Sequence, residues 1–288
     1  MPASTPASPY ARVTVLGLGV LGAQIALQTA AHGVDVTAYD VDDDALSAGR
    51  QRLERFAGAA AHDLPDLTDA YGAAPGRIRL TSDLADAVGD ADLVVEAVPE
   101  RLDLKRDVWA RVGAAAPPSA VLATNSSSLL PSAMADATGR PERFLALHFA
   151  NRIWAQNTAE VMGHAGTDPA VADQVEVFAA AIGMEPIRLH REQPAYVLNS
   201  LLIPLLGAAA ELLLKGVADV ETIDRTWRTA TGAPAGPFQV YDVVGLRTAH
   251  AIASADPASQ AWADHLQENY LDRGRFGVES GEGFYTYR

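Results

Sequence analysis

The sequence predicts an α/β protein, a doubly wound sheet followed by a smaller all-α unit, and three observations carry that expectation. Short apolar runs alternate with helical stretches through the larger N-terminal part of the chain. A glycine-rich turn joins the first run to the first helix. Beyond Glu192 the character changes to long apolar helical stretches with no strand of comparable length.

Val13 to Leu16 reads as a buried strand, and Val20 to His32 as a helix that starts inside the turn LGLGVLG. Gly17 permits the tight turn, Gly19 lets backbone approach a pyrophosphate, and Gly22 lets helix and strand pack closely. Val20 and Leu21 open the helix, whose unpaired N–H groups face such an anion. Asp35 to Tyr39 is the second strand, and Asp40 follows it. A carboxylate there accepts hydrogen bonds from ribose hydroxyls and repels a 2′-phosphate, and Asp42, Asp43 and Asp44 add to its charge. No Arg or Lys follows Asp40 before Arg50. The expected cofactor is NAD rather than NADP, in a Rossmann-type unit.

A helical stretch from Asp44 to Ala61 carries Leu46, Leu53 and Phe56 among Arg50, Arg52 and Arg55, the pattern of an amphipathic, partly exposed arm. After a loop with Pro65, Gly72, Pro75 and Gly76 comes a short strand, Ile78 to Thr81. Ala91 to Ala97 is a continuous apolar run of the kind found in central parallel strands. Leu102 to Val112 is helical, and Val121 to Thr124 and Arg143 to Ala150 are strands. Helices are expected at Pro194 to Lys215, Val220 to Thr231 and Asp242 to Ala255. These place a boundary near 188–193: a short disordered leader at 1–10, the Rossmann unit at 11–190 and the helical unit at 191–288.

Of the 288 residues, 49% are hydrophobic and 20% charged, enough to bury a real core. With 36 acidic against 22 basic residues the net charge is -14, which argues against nucleic acid or an anionic membrane as partner. The absence of cysteine excludes disulfides, thiolate nucleophiles and cysteine-ligated metals, and no metal site is expected. MPASTPASPYAR lacks a basic segment followed by an apolar core, so a cytoplasmic location is expected. The apolar run Val197 to Leu214 is interrupted by Asn199, Pro204 and Glu211, which favours a buried or interface helix over a membrane span. Such apolar faces exceed what a small unit hides alone, so a homodimer through the helical unit is expected.

Among the 7 histidines, His148 stands apart. It ends a predicted strand in the cofactor-binding half, where open α/β sheets place their ligands. The run Asn125 to Ser128 and Glu160 lie near it in sequence. Oxidation of a secondary alcohol needs a base for the hydroxyl proton while hydride leaves carbon, and neutral imidazole suits that task near neutral pH.

With these features the chain resembles the L-3-hydroxyacyl-CoA dehydrogenase family over almost all of its length. The resemblance is carried by the glycine loop with Asp40, VVEAVPE (Val94 to Glu100) followed by Lys105, ATNSSSL (Ala123 to Leu129), LHFAN (Leu147 to Asn151) and AEVMG (Ala159 to Gly163). It continues through AYVLNSLLIP (Ala195 to Pro204), GAPAGPFQVYDVVGL (Gly232 to Leu246) and SGEGFYTY (Ser280 to Tyr287). The resemblance implies that His148 is the general base and Glu160 the carboxylate orienting its ring, with Ser127 and Asn199 hydrogen-bonding the reacting oxygen. It implies that Glu100, Lys105, Asn125, Ser127 and Asn151 meet the ribose and nicotinamide end of NAD. The implied reaction interconverts an L-3-hydroxyacyl compound, an acyl-CoA of fatty acid metabolism, and its 3-keto form.

The chain departs from the family where substrate binds. Acyl-CoA members tend to carry a serine and a lysine that contact CoA after the second strand, and Phe56 and Asp63 stand near those places here. After LHFAN the chain reads RIWAQNTAE, where Arg152 is placed to grip a carboxylate bidentately and Trp154 to offer a flat apolar wall. Glu279 stands where many members have lysine. A second expectation is therefore a dehydrogenase or reductase of a small substrate without CoA, a free 3-hydroxy acid or a C=N compound. A third is an inactive NAD-binding structural protein.

Overall fold

The computed structural model describes residues 6–287. Its strands are β1 (Arg12–Leu16), β2 (Asp35–Tyr39), β3 (Ile78–Thr81), β4 (Leu93–Glu96), β5 (Val121–Thr124), β6 (Phe144–Phe149), β7 (Thr158–Gly163) and β8 (Glu185–Leu189). They form one 8-stranded sheet in the order β3, β2, β1, β4, β5, β6, β7, β8. The strands from β3 across to β6 run parallel, β7 is antiparallel to β6, and β8 is parallel to β7. The order reverses direction at β1 and β4, and a crevice opens at such a switch point beside the carboxyl ends of the strands.

The helices of this unit are α1 (Val20–Ala31), α2 (Asp43–Asp63), α3 (Thr68–Ala73), α4 (Leu84–Val88), α5 (Leu102–Ala115) and α6 (Pro169–Ala181). Period-2 alternation sends strand side chains to both faces, where the helices cover them. Val13, Val15 and Val95 join Ile25, Leu27 and Phe178 in one core, while Leu16, Val94 and Phe144 join Trp109 in the other. Asp42 starts α2 by accepting the Ala45 N–H at 2.8 Å, a side-chain cap. The six predicted strands are all present. β7, α6 and β8 were not anticipated; β8 carries Pro186 and is nowhere fully buried, so it lacks the apolar run that marks an inner strand.

Residues 1–5 of the expected leader lie outside the described residues. Its end is not disordered: Tyr10 is buried and sets its ring 5.8 Å from that of Phe178. The aromatic ring adds its apolar area to the core and so anchors this short segment.

A second compact unit spans Leu198–Arg288, so the division falls at Val197 and Leu198 rather than in the window near 188–193. The reason is Tyr196, which packs into the first unit with Ala146 and Met162. The second unit contains most of α7 (Tyr196–Leu214), with α8 (Val220–Thr231), α9 (Pro237–Val244), α10 (Leu246–Ser254) and α11 (Gln260–Asn269). The single helix expected from Asp242 to Ala255 is broken at Gly245, whose φ of 92° belongs to a region L side chains avoid.

Two buried carboxylates organise this unit. Asp224 accepts the Phe238 and Gln239 N–H groups at 2.9 and 3.1 Å at the start of α9, and the Tyr285 hydroxyl at 3.0 Å. Asp242 accepts the Phe284 and Tyr285 N–H groups, both at 2.9 Å, and the Tyr287 hydroxyl at 2.8 Å. The terminal GEGFYTY segment is thereby fastened to α8 and α9. By length and composition α7 is apolar enough to cross a membrane. One side, Leu206, Ala209 and Ala210, is buried in the unit's core, while Leu201 is 70% exposed and Val217, just beyond the helix, 64%.

Candidate active site

The glycine turn separates glycines the fold requires from one a ligand requires. Gly17 has φ 90°, and a Cβ there would lie 2.9 Å from the Ala97 carbonyl oxygen. A Cβ on Gly22 would stand 1.8 Å from the Gly17 carbonyl oxygen, so helix and turn could not close. Gly19 faces open space, and a Cβ there would protrude into it. No side chain caps the N-terminus of α1, so its N–H groups at Val20 and Leu21 remain for an anion. The Asp40 carboxylate accepts the Leu18 N–H at 2.9 Å and the Val41 N–H at 2.8 Å, which sets it beside the turn. This cradle fits a dinucleotide, with the pyrophosphate at Gly19 and a ribose at Asp40.

Glu100 gathers the loop after β5. One of its oxygens accepts from the Ser126 hydroxyl at 2.5 Å, the Ser127 and Ser128 N–H groups at 3.1 and 2.9 Å, and the Ser128 hydroxyl at 2.8 Å. Burial works to raise its pKa, but these donors and the Lys105 cation bring it down to about 2. Glu100 thus acts within the protein, holding the serine loop. Lys105 is buried, its ammonium 2.5 Å from Glu96 and 3.3 Å from Glu100. Glu96 also accepts from the Thr124 hydroxyl at 2.7 Å and the Val98 N–H at 2.8 Å. The lysine expected to meet the cofactor is the counter-ion of two carboxylates of the chain. Asn125 is likewise engaged internally: its side-chain oxygen accepts the Phe149 N–H at 3.0 Å, tying the end of β5 to the end of β6.

His148 and Glu160 face each other across the antiparallel pair of β6 and β7. Both are buried, with Nδ1 3.0 Å from Glu160 Oε2. A carboxylate only accepts, so this partner assigns the proton to Nδ1 and leaves the lone pair on Nε2. Nε2 lies 3.3 Å from the Ser127 hydroxyl. The other Glu160 oxygen accepts the Val197 N–H at 2.9 Å, so the carboxylate is held at both ends. Asn199 belongs to the second unit, on α7.

Sequence reasoning did not find Tyr196. Its ring stacks on the His148 imidazole at 4.3 Å and 13°, and its hydroxyl donates to the Ser126 carbonyl at 2.7 Å. The stack is made by Ala195 and Tyr196 at φ 64° and 54°, a conformation that neither alanine nor tyrosine signals in a sequence. The only available signal was an aromatic at the start of a helix within the AYVLNSLLIP run.

Arg152 and Trp154 are placed differently from the expectation. The Arg152 guanidinium is 2.6 Å from Asp63, and the Trp154 indole N–H donates to the same oxygen at 2.9 Å. The Phe56 ring lies 6.0 Å from that of Trp154. The carboxylate that Arg152 grips is the chain's own, because Asp63 ends α2 within reach. The pair therefore clasps the α2 arm to the turn after β6.

This geometry can move a proton and a hydride. When bound, NAD supplies the hydride acceptor at its nicotinamide. The lone pair on His148 Nε2 could take the proton of a substrate hydroxyl in oxidation, and the Glu160 carboxylate beside Nδ1 would stabilise the imidazolium. In reduction an imidazolium could return the proton to a carbonyl oxygen, with the Ser127 hydroxyl near enough to donate to the charge developing there.

Fold and site define an NAD-dependent oxidoreductase acting on a hydroxyl and its carbonyl. Residues 12–193 match the NAD-binding domain of 3-hydroxyacyl-CoA dehydrogenase and residues 196–287 its C-terminal domain, and the chain belongs to that family. It interconverts an L-3-hydroxyacyl compound and its 3-keto form. A probable 3-hydroxybutyryl-CoA dehydrogenase of Deinococcus radiodurans is 34% identical over 279 residues, covering 95% of this chain and 99% of its own. The structure of Mycobacterium tuberculosis FadB2 shares 32% identity with a TM-score of 0.85, covering 97% of this chain and 99% of its own. That of a diketoreductase described as acting on dicarbonyl compounds shares 57% identity with a TM-score of 0.92, covering 96% and 99%.

Proposed function

We propose that the chain acts on L-3-hydroxyacyl-CoA and 3-ketoacyl-CoA as a homodimer. The observation that carries the reaction is the His148 ring held between Glu160 and Ser127, and the names of the curated relatives support CoA as the carrier. One observation favours a second substrate, a small dicarbonyl compound without CoA. The clasp of Asp63, Arg152 and Trp154 places an acid at the end of α2 and neutralises the nearby arginine, and the 57% identical neighbour is a diketoreductase.

The two substrates separate in one assay that follows NADH absorbance with acetoacetyl-CoA, a simple acetoacetyl thioester and a free dicarbonyl ester. Remote binding energy is what a CoA-dependent enzyme converts into rate. For the acyl-CoA substrate, kcat/KM should be at least about tenfold higher with acetoacetyl-CoA than with the simple thioester, equivalent to about 1.4 kcal/mol. Equal values, with the ester turned over as well, would establish the dicarbonyl reading instead.

Support for the dimer comes from apolar side chains left uncovered on the second unit, among them Leu201, Ile203, Val217, Val243 and Ile252. Obligate homodimer interfaces bury about 2,000 Å² or more and are richer in apolar side chains than ordinary surface. Light scattering at micromolar concentration is expected to give twice the 30.3 kDa of one chain. A monodisperse species of one chain would exclude it.

A further inference from the structure

Gln24 lies on α1, one turn beyond the glycines, and is buried. Its side-chain oxygen accepts the Arg152 N–H at 2.7 Å and the Ile153 N–H at 3.2 Å, and its side-chain nitrogen donates to the Asn151 side-chain oxygen at 2.7 Å. An amide side chain looks the same either way round, and only its partners decide which end is oxygen. Here the decision is forced. Backbone N–H groups only donate, so the Gln24 end facing Arg152 and Ile153 is the oxygen, and the other end is the NH₂. That NH₂ only donates, so the Asn151 end facing it must be oxygen too.

The Asn151 oxygen is further occupied by the Arg152 N–H at 2.9 Å. Its own NH₂ has no hydrogen-bond partner among the described residues and points away from this network. Arg152 supplies the bend at φ 59°, a conformation that a β-carbon disfavours and that surrounding bonds must hold. Its carbonyl accepts the Ala155 and Gln156 N–H groups, both at 2.8 Å, while Asp63 holds its side chain. The turn is therefore fixed from three sides, and Gln24 is the part that reaches it from the cofactor helix.

We infer that Gln24 is a positioning residue for hydride transfer: it fixes the Asn151 amide so that its NH₂, a donor, is presented to an acceptor oxygen at the nicotinamide end of NAD. The inference rests on the family-based assignment of Asn151 to that end of the cofactor. It adds that the direction of the amide is set, together with the Arg152 N–H, by a side chain that lies behind Asn151 in this network. It also couples α1, whose uncapped N-terminus would hold the pyrophosphate, to the turn that follows His148, so that cofactor and base would keep one relative placement.

Gln24→Glu tests this, because a carboxylate still accepts the two backbone N–H groups but cannot donate to Asn151. The Asn151 amide then gains a charge-assisted bond by turning its NH₂ toward residue 24 and its oxygen toward the cofactor, giving up the Arg152 N–H, which keeps its bond to the residue 24 oxygen. kcat is expected to fall tenfold or more, with a larger primary isotope effect from deuterated NADH, as for a reacting group slightly misplaced. ADP-ribose affinity, which reads only the glycine loop and Asp40, should stay within twofold of the unmodified protein. A purely structural Gln24 would lower the melting temperature and leave the isotope effect unmoved, and that result overturns the inference. Should the buried charge prevent folding, Gln24→Met keeps the volume and removes the same donor, and an unchanged kcat there is equally decisive. Asn151→Asp separates the two levels: it keeps the Gln24 bond and loses the NH₂. Loss of hydride transfer in both Asn151→Asp and a Gln24 variant supports the inference. Loss in Asn151→Asp alone sinks the role of Gln24, and loss in neither removes the underlying placement of Asn151.

Discussion

His148→Gln is expected to lower kcat by a factor of about 10² to 10⁴ while leaving NADH affinity within about twofold, because a glutamine amide cannot take up the proton that Nε2 accepts. The separation follows from the structure. The dinucleotide cradle is built from Gly17, Gly19, Gly22 and Asp40, whereas His148 is held by Glu160 and Tyr196 at the far end of β6. Stopped-flow measurement of hydride transfer with NADH titration reads both quantities. Retention of more than about a tenth of kcat would mean that another group handles the proton. Glu160→Gln should lower kcat too, since the imidazolium loses its charged partner, but the Val197 N–H still has an oxygen to meet.

Lys105→Met is expected to cost about 3 to 5 kcal/mol of stability, because it leaves the Glu96 carboxylate buried without its cation. For a unit of this size that corresponds to a fall in melting temperature on the order of 10 °C. Glu96 and Lys105 are both essentially inaccessible, so solvent cannot screen the charge left behind. The double variant Glu96→Leu with Lys105→Met should recover part of the loss, as buried ion pairs replaced on both sides often do. A single variant within about 1 kcal/mol of the unmodified protein would show that Thr124 and Val98 satisfy Glu96 without help.

The cofactor half of the site was legible from local pattern. Gly17, Gly22 and Asp40 act within a single strand, turn, helix and strand, so spacing along the chain is spacing in the molecule. The inner strands were legible for the same reason, since burial on both faces writes a continuous apolar run. β8 was not, because an edge strand with a proline and half-exposed side chains writes no such run. Lys105 and Asn125 were assigned to the cofactor by resemblance, and Arg152 and Trp154 to the substrate from their residue types where the chain departs from the family; the fold gives each a partner within the chain. A sequence shows that a residue is charged or polar. It does not show whether a complementary group arrives beside it.

What the sequence by itself determined is the doubly wound α/β class, the dinucleotide turn and the choice of NAD. Each rests on residue type and short-range order, which the backbone translates directly into geometry. Only the tertiary structure decided that β7 returns antiparallel so that His148 and Glu160 stand opposite each other. The same holds for the Tyr196 ring on the imidazole and for Asp63, which reaches Arg152 from the end of α2. These depend on strand direction, on left-handed backbone at Arg152, Ala195 and Tyr196, and on contacts between residues far apart in the chain. No local pattern encodes them, because their energy is realised only when the separate elements have packed.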